Sequence, residues 1–374
     1  MYPYSPEEAL ARVMDGSSWS DFCDLLKAAG AVLDRDGSPR DPLSRAEGLR
    51  YLSRLTRAGL EAFVEYADPH RPELRRMVHE TVKMGADNPD NHYHNAEIDG
   101  AATYRITGTR GTVQYLEFAV QKGSYGEARG MPPTGHLDGK DLALDAEGRF
   151  EIWLCPHPRG ANWLRTEPGS GTVIVRQSRL DPATETFATL RIERVLQPGE
   201  VVPPSELTPL DIDRGLTKTG MLVVGASQMF AEWAEGFHTH HPNALPRFDQ
   251  ALSDRMGGVP HIVYHHSAWR LGPDEVLVID APPVACDHWN FQLENHWMES
   301  LDYRHFRIHL NSKTAVYAPD GSVRIVVAHT DPGHPNWLQT AGHAHGAMCF
   351  RWVRPESHDP PAPTCRVMKR SELA

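Results

Sequence analysis

Residues 320–327 read DGSVRIVV and are followed by Asn336-Trp337-Leu338, then by Gly346 and Arg351. Earlier in the chain, residues 147–154 read EGRFEIWL and are followed by Asn162-Trp163-Leu164, then by Gly171 and Arg176. The spacings agree closely. Gly148 to Asn162 is 14 positions and Gly321 to Asn336 is 15; Asn to the next Gly is 9 and 10; Gly to Arg is 5 in both. Each copy reads as an acidic-Gly turn, an alternating strand, a loop anchored by Asn-Trp-Leu and a return strand with its Arg at a fixed place. Two related jelly-roll or β-sandwich units are therefore expected, because open sheets of many strands curl or split. In each copy the Asn is expected to bond its own loop and the Trp to plug the end of the sandwich.

Outward from these repeats the character of the chain alternates. Residues 5–83 read as helical, with Ser-x-x-Glu capping boxes at Ser5/Glu8 and Ser44/Glu47, and with Leu49, Leu52, Leu60, Phe63 and Val64 as an apolar stripe. From Asn95, TYRITGT, TVQYLEFAV, FEIWL and TVIVRQ are β-branched and aromatic runs punctuated by glycine. Residues 209–256 return to a helical pattern with Leu216, Met221, Met229 and Trp233 as buried candidates, and strands resume after Gly258. The expected class is mainly β with helical segments (α+β). Its parts are a helical region at 1–87, a first β-sandwich unit at 88–205, a helical connector at 206–258 and a second unit with a tail at 259–374.

The chain has 374 residues, 40% hydrophobic and 23% charged, which is globular rather than disordered composition. A formal net charge of −11 gives no general attraction to a polyanion, so nucleic acid is not an expected partner. No apolar run approaches membrane-span length and the N-terminus lacks a secretory pattern, so neither a membrane partner nor export is expected. Five cysteines without a close pair fit a reducing cytoplasm. A homo-oligomer is compatible with everything so far.

The segment DGSVRIVVAH, DPGHPNWLQTAGH, GAMCFRW and its proline-rich tail resemble the bacterial family known as domain of unknown function twelve-fourteen. Members share a Gly strand, a Pro-Gly to Asn-Trp-Leu loop and a final strand with Arg. The resemblance covers about the last hundred residues and implies a β-rich jelly-roll fold, with no established reaction attached. The density of histidines around the loop departs from the common pattern.

Three groups of residues carry the candidate chemistry. In residues 287–297, DHWNFQLENHW, alternation sets Trp289, Phe291 and Leu293 on one face against His288, Asn290, Gln292 and Glu294 on the other. Polar side chains of this kind, turned into a cavity, would orient a small ligand. The Asx-rich loop 87–95 adds Asp90 and Tyr93. His288, His296, Tyr93 and Asp90 are accordingly the candidate catalytic groups, and Asn290, Gln292, Trp297, Asn311 and Arg351 the candidate substrate contacts. An inward Arg351 is a natural fork for a carboxylate. The chain also has 21 histidines, and the His-x-His pairs His238/His240 and His343/His345 would share a face if they lay on strands. They are the alternative metal ligands.

No Walker loop, dinucleotide fingerprint, Gly-x-Ser-x-Gly elbow or His-Glu-x-x-His is present. The expectation is an enzyme acting on a small, partly apolar metabolite, with a carboxylate among the candidates. It would use His, Asp or Tyr acid-base chemistry, of lyase or hydrolase type, without a nucleotide or other cofactor. One alternative is a hydrolase, lyase or oxygenase that binds a divalent metal ion through histidines. Another is a non-catalytic ligand-binding or assembly protein.

Overall fold

The computed structural model describes residues 2–123, 130–202 and 206–373, so the expected boundary at Ser205 lies outside the described residues. Helices α1 (Pro6–Asp15), α2 (Ser17–Ala29) and α3 (Pro42–Leu60) come first. Strands β1 (Arg75–Val78), β2 (Asn91–Glu97), β3 (Tyr104–Thr109), β4 (Tyr115–Gln121) and β5 (Pro133–Asp138) begin the first unit. It is completed by β6 (Arg149–Cys155), β7 (Trp163–Arg165), β8 (Thr172–Ser178) and β9 (Arg191–Arg194). Helices α4 (Pro209–His240) and α5 (Gln250–Arg255) lead into the second unit. That unit runs through β10 (Ile262–Arg270), β11 (Glu275–Ala281), β12 (His288–Leu293), β13 (His309–Asn311), β14 (Val323–Ala328), β15 (Trp337–Gln339), β16 (His345–Val353) and β17 (Thr364–Lys369).

The two units have one topology. The outer sheets are ordered β7-β6-β3-β9 and β15-β14-β11-β17, and the inner sheets β2-β8-β4-β5 and β10-β16-β12-β13, with β1 added at the edge of the first. In each outer sheet one pair, β6 with β7 and β14 with β15, is parallel and the rest antiparallel. Tyr104, Ile106, Phe118, Ile152 and Val175 fill the first sandwich; Phe291, Leu293, Ile325, Val327, Phe350 and Trp352 fill the second. A third core joins α3 and α4 to the second unit through Tyr51, Leu55, Val223, Phe230, Trp297 and Cys349.

The repeated anchors superpose in their bonding. Gly148 and Gly321 sit at φ +73° and +81°, a left-handed turn position that glycine adopts without a Cβ penalty. Asn162 accepts from Ala143 N and donates to Ala143 O and Glu151 O. Asn336 accepts from Val316 N and donates to Val316 O and Arg324 O. The tryptophans correct the expectation. Trp163 and Trp337 are only half-buried, with each indole N–H on a strand carbonyl, Cys155 O and Ala328 O, so neither plugs the end of a sandwich.

The helical expectations are corrected in phase and length. Ser5 and Glu8 do form a capping box, but α3 starts one turn early on Asp41, whose carboxylate accepts from Ser44 N. The buried stripe of α3 is Gly48, Tyr51, Leu55 and Ala58, leaving Leu49 exposed. Residues 75–78, within the segment expected to be helical, form β1 because their backbone pairs with β2. In α4 Leu216 is buried, whereas Met221 is 40% exposed.

Candidate functional site

Alternation along the inner strands puts one set of side chains into each sandwich and the other set between the units. On β4, Leu116, Phe118 and Val120 enter the first core while Tyr115 and Glu117 face out of it; on β12, Trp289, Phe291 and Leu293 enter the second core while His288, Asn290, Gln292 and Glu294 face out. Both outward faces are nonetheless buried, since the units, α4 and residues 84–90 close over them. Between them lies a cavity of about 410 Å³. Its apolar wall includes Phe63, Met77, Met84, Met221, Phe230, Trp233, Phe248, Met256 and Ile262, and thioethers suit an irregular ligand surface. Its polar wall includes Tyr93, Tyr115, Arg176, Tyr264, His266, His288 and Arg351.

Arg176 of β8 reaches Glu117 Oε2 at 3.4 Å and donates to Gly257 O at 2.9 Å. Burial alone would push Glu117 up, but Arg176, His136 and Tyr115 outweigh it and hold the carboxyl down to about 2. Tyr115 donates to Glu117 Oε2 at 2.7 Å and lies 3.0 Å from His261 Nε2; His136 Nε2 lies 3.0 Å from Glu117 Oε1. A hydrogen-bonded chain thus runs from the cavity to the part-exposed His136. Burial lowers His288 to about 4 and His266 to about 3, leaving both imidazoles neutral at neutral pH, and His288 Nδ1 is buried without a partner among the described residues.

Among the expected site residues, His288, Tyr93 and Arg351 line the cavity together. Asn290 and Gln292 lie beside it, bound instead to the 84–90 loop: Asn290 donates to Asn88 Oδ1 at 3.2 Å and Gln292 to Asp87 O at 2.8 Å. Four others are corrected. Asp90 is turned away, accepting from Asn311 at 3.0 Å and lying 3.2 Å from His309 Nε2, so Asp90 and Asn311 tie the loop to the second unit. Trp297 packs on Tyr51 in the helical core and donates to Ser44 O at 2.9 Å. His296 stacks on His238, with ring centres 5.4 Å apart, also outside the cavity wall.

The alternative metal set does not converge. Residues 238–240 end α4 rather than a strand, and two positions along a helix point to nearly opposite sides, so His238 is half-buried and His240 exposed. His343 is held by Glu47 at 2.8 Å and His345 by Asp41 at 3.3 Å. Among the described residues no group of three or more His, Cys, Asp or Glu side chains is arranged to hold a metal ion. Tyr115, Glu117 and Tyr264 were missed as site residues. Their signal is a polar or phenolic residue repeating on the face opposite the core positions of TVQYLEFAV and HIVYHH, a face that otherwise reads as solvent-exposed.

No helix among the described residues is long and apolar enough to cross a membrane. A search of the curated proteins finds no match. Among solved structures, an uncharacterized protein from Burkholderia cenocepacia is 48% identical, with a TM-score of 0.93 over 97% of this chain and 99% of that one. The VPA0106 protein from Vibrio parahaemolyticus aligns over 92% of this chain and 100% of that one at 11% identity and a TM-score of 0.47. The family model described as protein of unknown function (DUF1214) matches residues 276–357, from β11 to just past β16. With the Asn-Trp-Leu loop and the Arg351 strand inside that match, residues 276–357 form a domain of the DUF1214 family of unknown function.

Proposed function

We propose that the protein takes a small, partly apolar metabolite into the cavity between its two β units and acts on it by acid-base chemistry of tyrosine and histidine, without a nucleotide cofactor. The observation that carries this reading is the convergence of Tyr93, Tyr115, His288 and two arginines on one largely apolar cavity of about 410 Å³. Tyr115, linked through Glu117 to His136, is the proton donor in this reading, and neutral His288 the acceptor. A non-catalytic binding protein is favoured by the placement of Asp90 and His296 away from the cavity, which removes half of the expected acid-base set. No metal-dependent reaction is proposed, because His343 and His345 are held by Glu47 and Asp41 while His238 and His240 point to different sides of α4. A reducing cytoplasm is the proposed compartment, supported by five free thiols.

A panel of small acids, alcohols and amides, read first by melting temperature and then by mass spectrometry for product, tests the reading. Compounds that enter the cavity raise the melting temperature by mass action. Ile174→Trp, which fills the cavity from β8, should abolish that rise while remaining folded. A panel in which no compound shifts the wild type, or in which the filled variant responds equally, contradicts the reading. Binding without product from any compound leaves the non-catalytic alternative.

A further inference from the structure

Arg176 and Arg351 occupy the same place in the duplicated unit, and so do their cross-strand neighbours. In the first unit Arg176 is paired with Tyr93 on one side and Glu117 on the other. In the second, Arg351 is paired with Tyr264 on one side and Asn290 on the other. The two Tyr-Arg rows line the same cavity. They differ at one position, where a carboxylate in the first unit is an amide in the second.

The difference leaves one charge unanswered. Arg351 donates to Gln292 Oε1 at 2.8 Å and to Ala86 O, both neutral, and among the described residues no carboxylate lies within ion-pair distance of it. Asp87 is turned onto Ser300, accepting from its N at 2.9 Å and its Oγ at 2.7 Å. Glu294 accepts from Gln292 Nε2, and burial pushes it up to about 8, so it is mostly protonated at neutral pH. A buried guanidinium without a counter-ion is costly, and an anion delivered by a ligand removes the cost. Tyr264, whose hydroxyl has no hydrogen bond to the described residues, stands beside it as a further donor.

Resting on the reading of the cavity as the binding site, we propose that the ligand is a monocarboxylic acid with an apolar body. Its carboxylate supplies to Arg351 the counter-charge that Glu117 supplies to Arg176. The planar guanidinium fork matches a carboxylate, and because the other arginines and the lysine lining the cavity, Arg75, Arg176 and Lys218, are paired with Glu61, Glu117 and Glu97, a single unpaired cation favours a monoanion over a dianion. The apolar body lies against Met84, Phe230, Trp233 and Phe248.

Isothermal titration of the full chain with octanoate, octanamide and octylamine at neutral pH tests this. The expected result is that octanoate binds about 10-fold or more tightly than octanamide, the scale of a charged hydrogen bond, and that octylamine does not bind. Asn290→Asp, nearly isosteric, supplies the missing internal carboxylate and should erase the preference for octanoate while octanamide still binds. Arg351→Gln should erase it too, with circular dichroism as the check on folding. Equal binding of octanoate and octanamide by the wild type, or a preference that survives Asn290→Asp, overturns the monocarboxylate and leaves the cavity reading in place. Failure of all three probes to bind overturns both.

Discussion

Asn336 matters more to the fold than Trp337, because its buried amide closes three backbone bonds to Val316 and Arg324 that no neighbour can replace. Asn336→Ala should lower unfolding free energy by about 2–4 kcal/mol, since each backbone group left unpaired in a dry site costs about 1–3 kcal/mol. Trp337→Ala should cost less, about 1–2 kcal/mol, because the half-exposed ring forfeits only part of the 3–5 kcal/mol typical of a core aromatic. Urea unfolding of both variants checks the order; a larger loss for Trp337→Ala would restore the ring as a plug. At His288 the expectation is different. The side chain borders an existing cavity, so His288→Ala should shift stability by no more than about 1 kcal/mol while abolishing ligand binding or turnover. A melting temperature that collapses with binding would make His288 part of the scaffold. The Gly, Asn and Arg anchors were legible because their spacing repeats; which member of Asn-Trp turns inward was not, since both side chains carry hydrogen-bonding groups and adjacent residues of a strand point opposite ways.

At the scale of elements, the C-terminal turn of α4 meets β16 and the segment after β12 through three imidazoles. His238 stacks on His296 at 5.4 Å, and His345, held by Asp41, stands 5.8 Å from His238. Burial lowers His238 to about 4 and His296 to about 3 from an ordinary 6.5, and like charge on the neighbouring rings adds to the shift. Lowered folded-state values mean that the unfolded chain binds more protons as pH falls. Their contribution is therefore intact above about pH 6.5 and is lost progressively down to about pH 4 for His238 and about pH 3 for His296, at up to about 1.4 kcal/mol per pH unit for each ring. Urea titrations across this range should show stability falling with acid, and His238→Phe with His296→Phe should flatten the slope; an unchanged slope would show these rings are not buried neutral. The His238/His240 pair was misread because a His-x-His string looks the same on a strand and on a helix, and only the length of α4 decides. The stripe on α3 was misread for a related reason: leucines at near-helical spacing outvoted Gly48 and Ala58, whose small side chains let the helix approach its neighbours closely.

At the scale of the whole molecule, the two sandwiches turn their inner sheets toward each other, and the loop at residues 84–90 is wedged between them. Ala86 takes a hydrogen bond from Arg351, Asp87 two from Ser300, and Asp90 one from Asn311. Asp87→Ala removes both acceptors from Ser300 and should destabilise the fold by about 1–3 kcal/mol, read as an earlier urea midpoint. The duplication itself was legible in the sequence, down to the equivalent arginines. The cavity was not, because it is assembled from strand faces about 170 residues apart that each look, alone, like the wet side of a sheet; Tyr115 and Arg176 belong to it only because Tyr264, His288 and Arg351 face them. The central claim is that this shared space is a binding site with Arg351 at its charged end. A crystal structure of the protein soaked with octanoate tests it most directly. The account predicts density between the two inner sheets, with the carboxylate in hydrogen-bond contact with the Arg351 guanidinium and the alkyl chain against Phe230 and Trp233. Octanoate bound only on the outer surface, or lying in the cavity with its carboxylate away from Arg351, would contradict it.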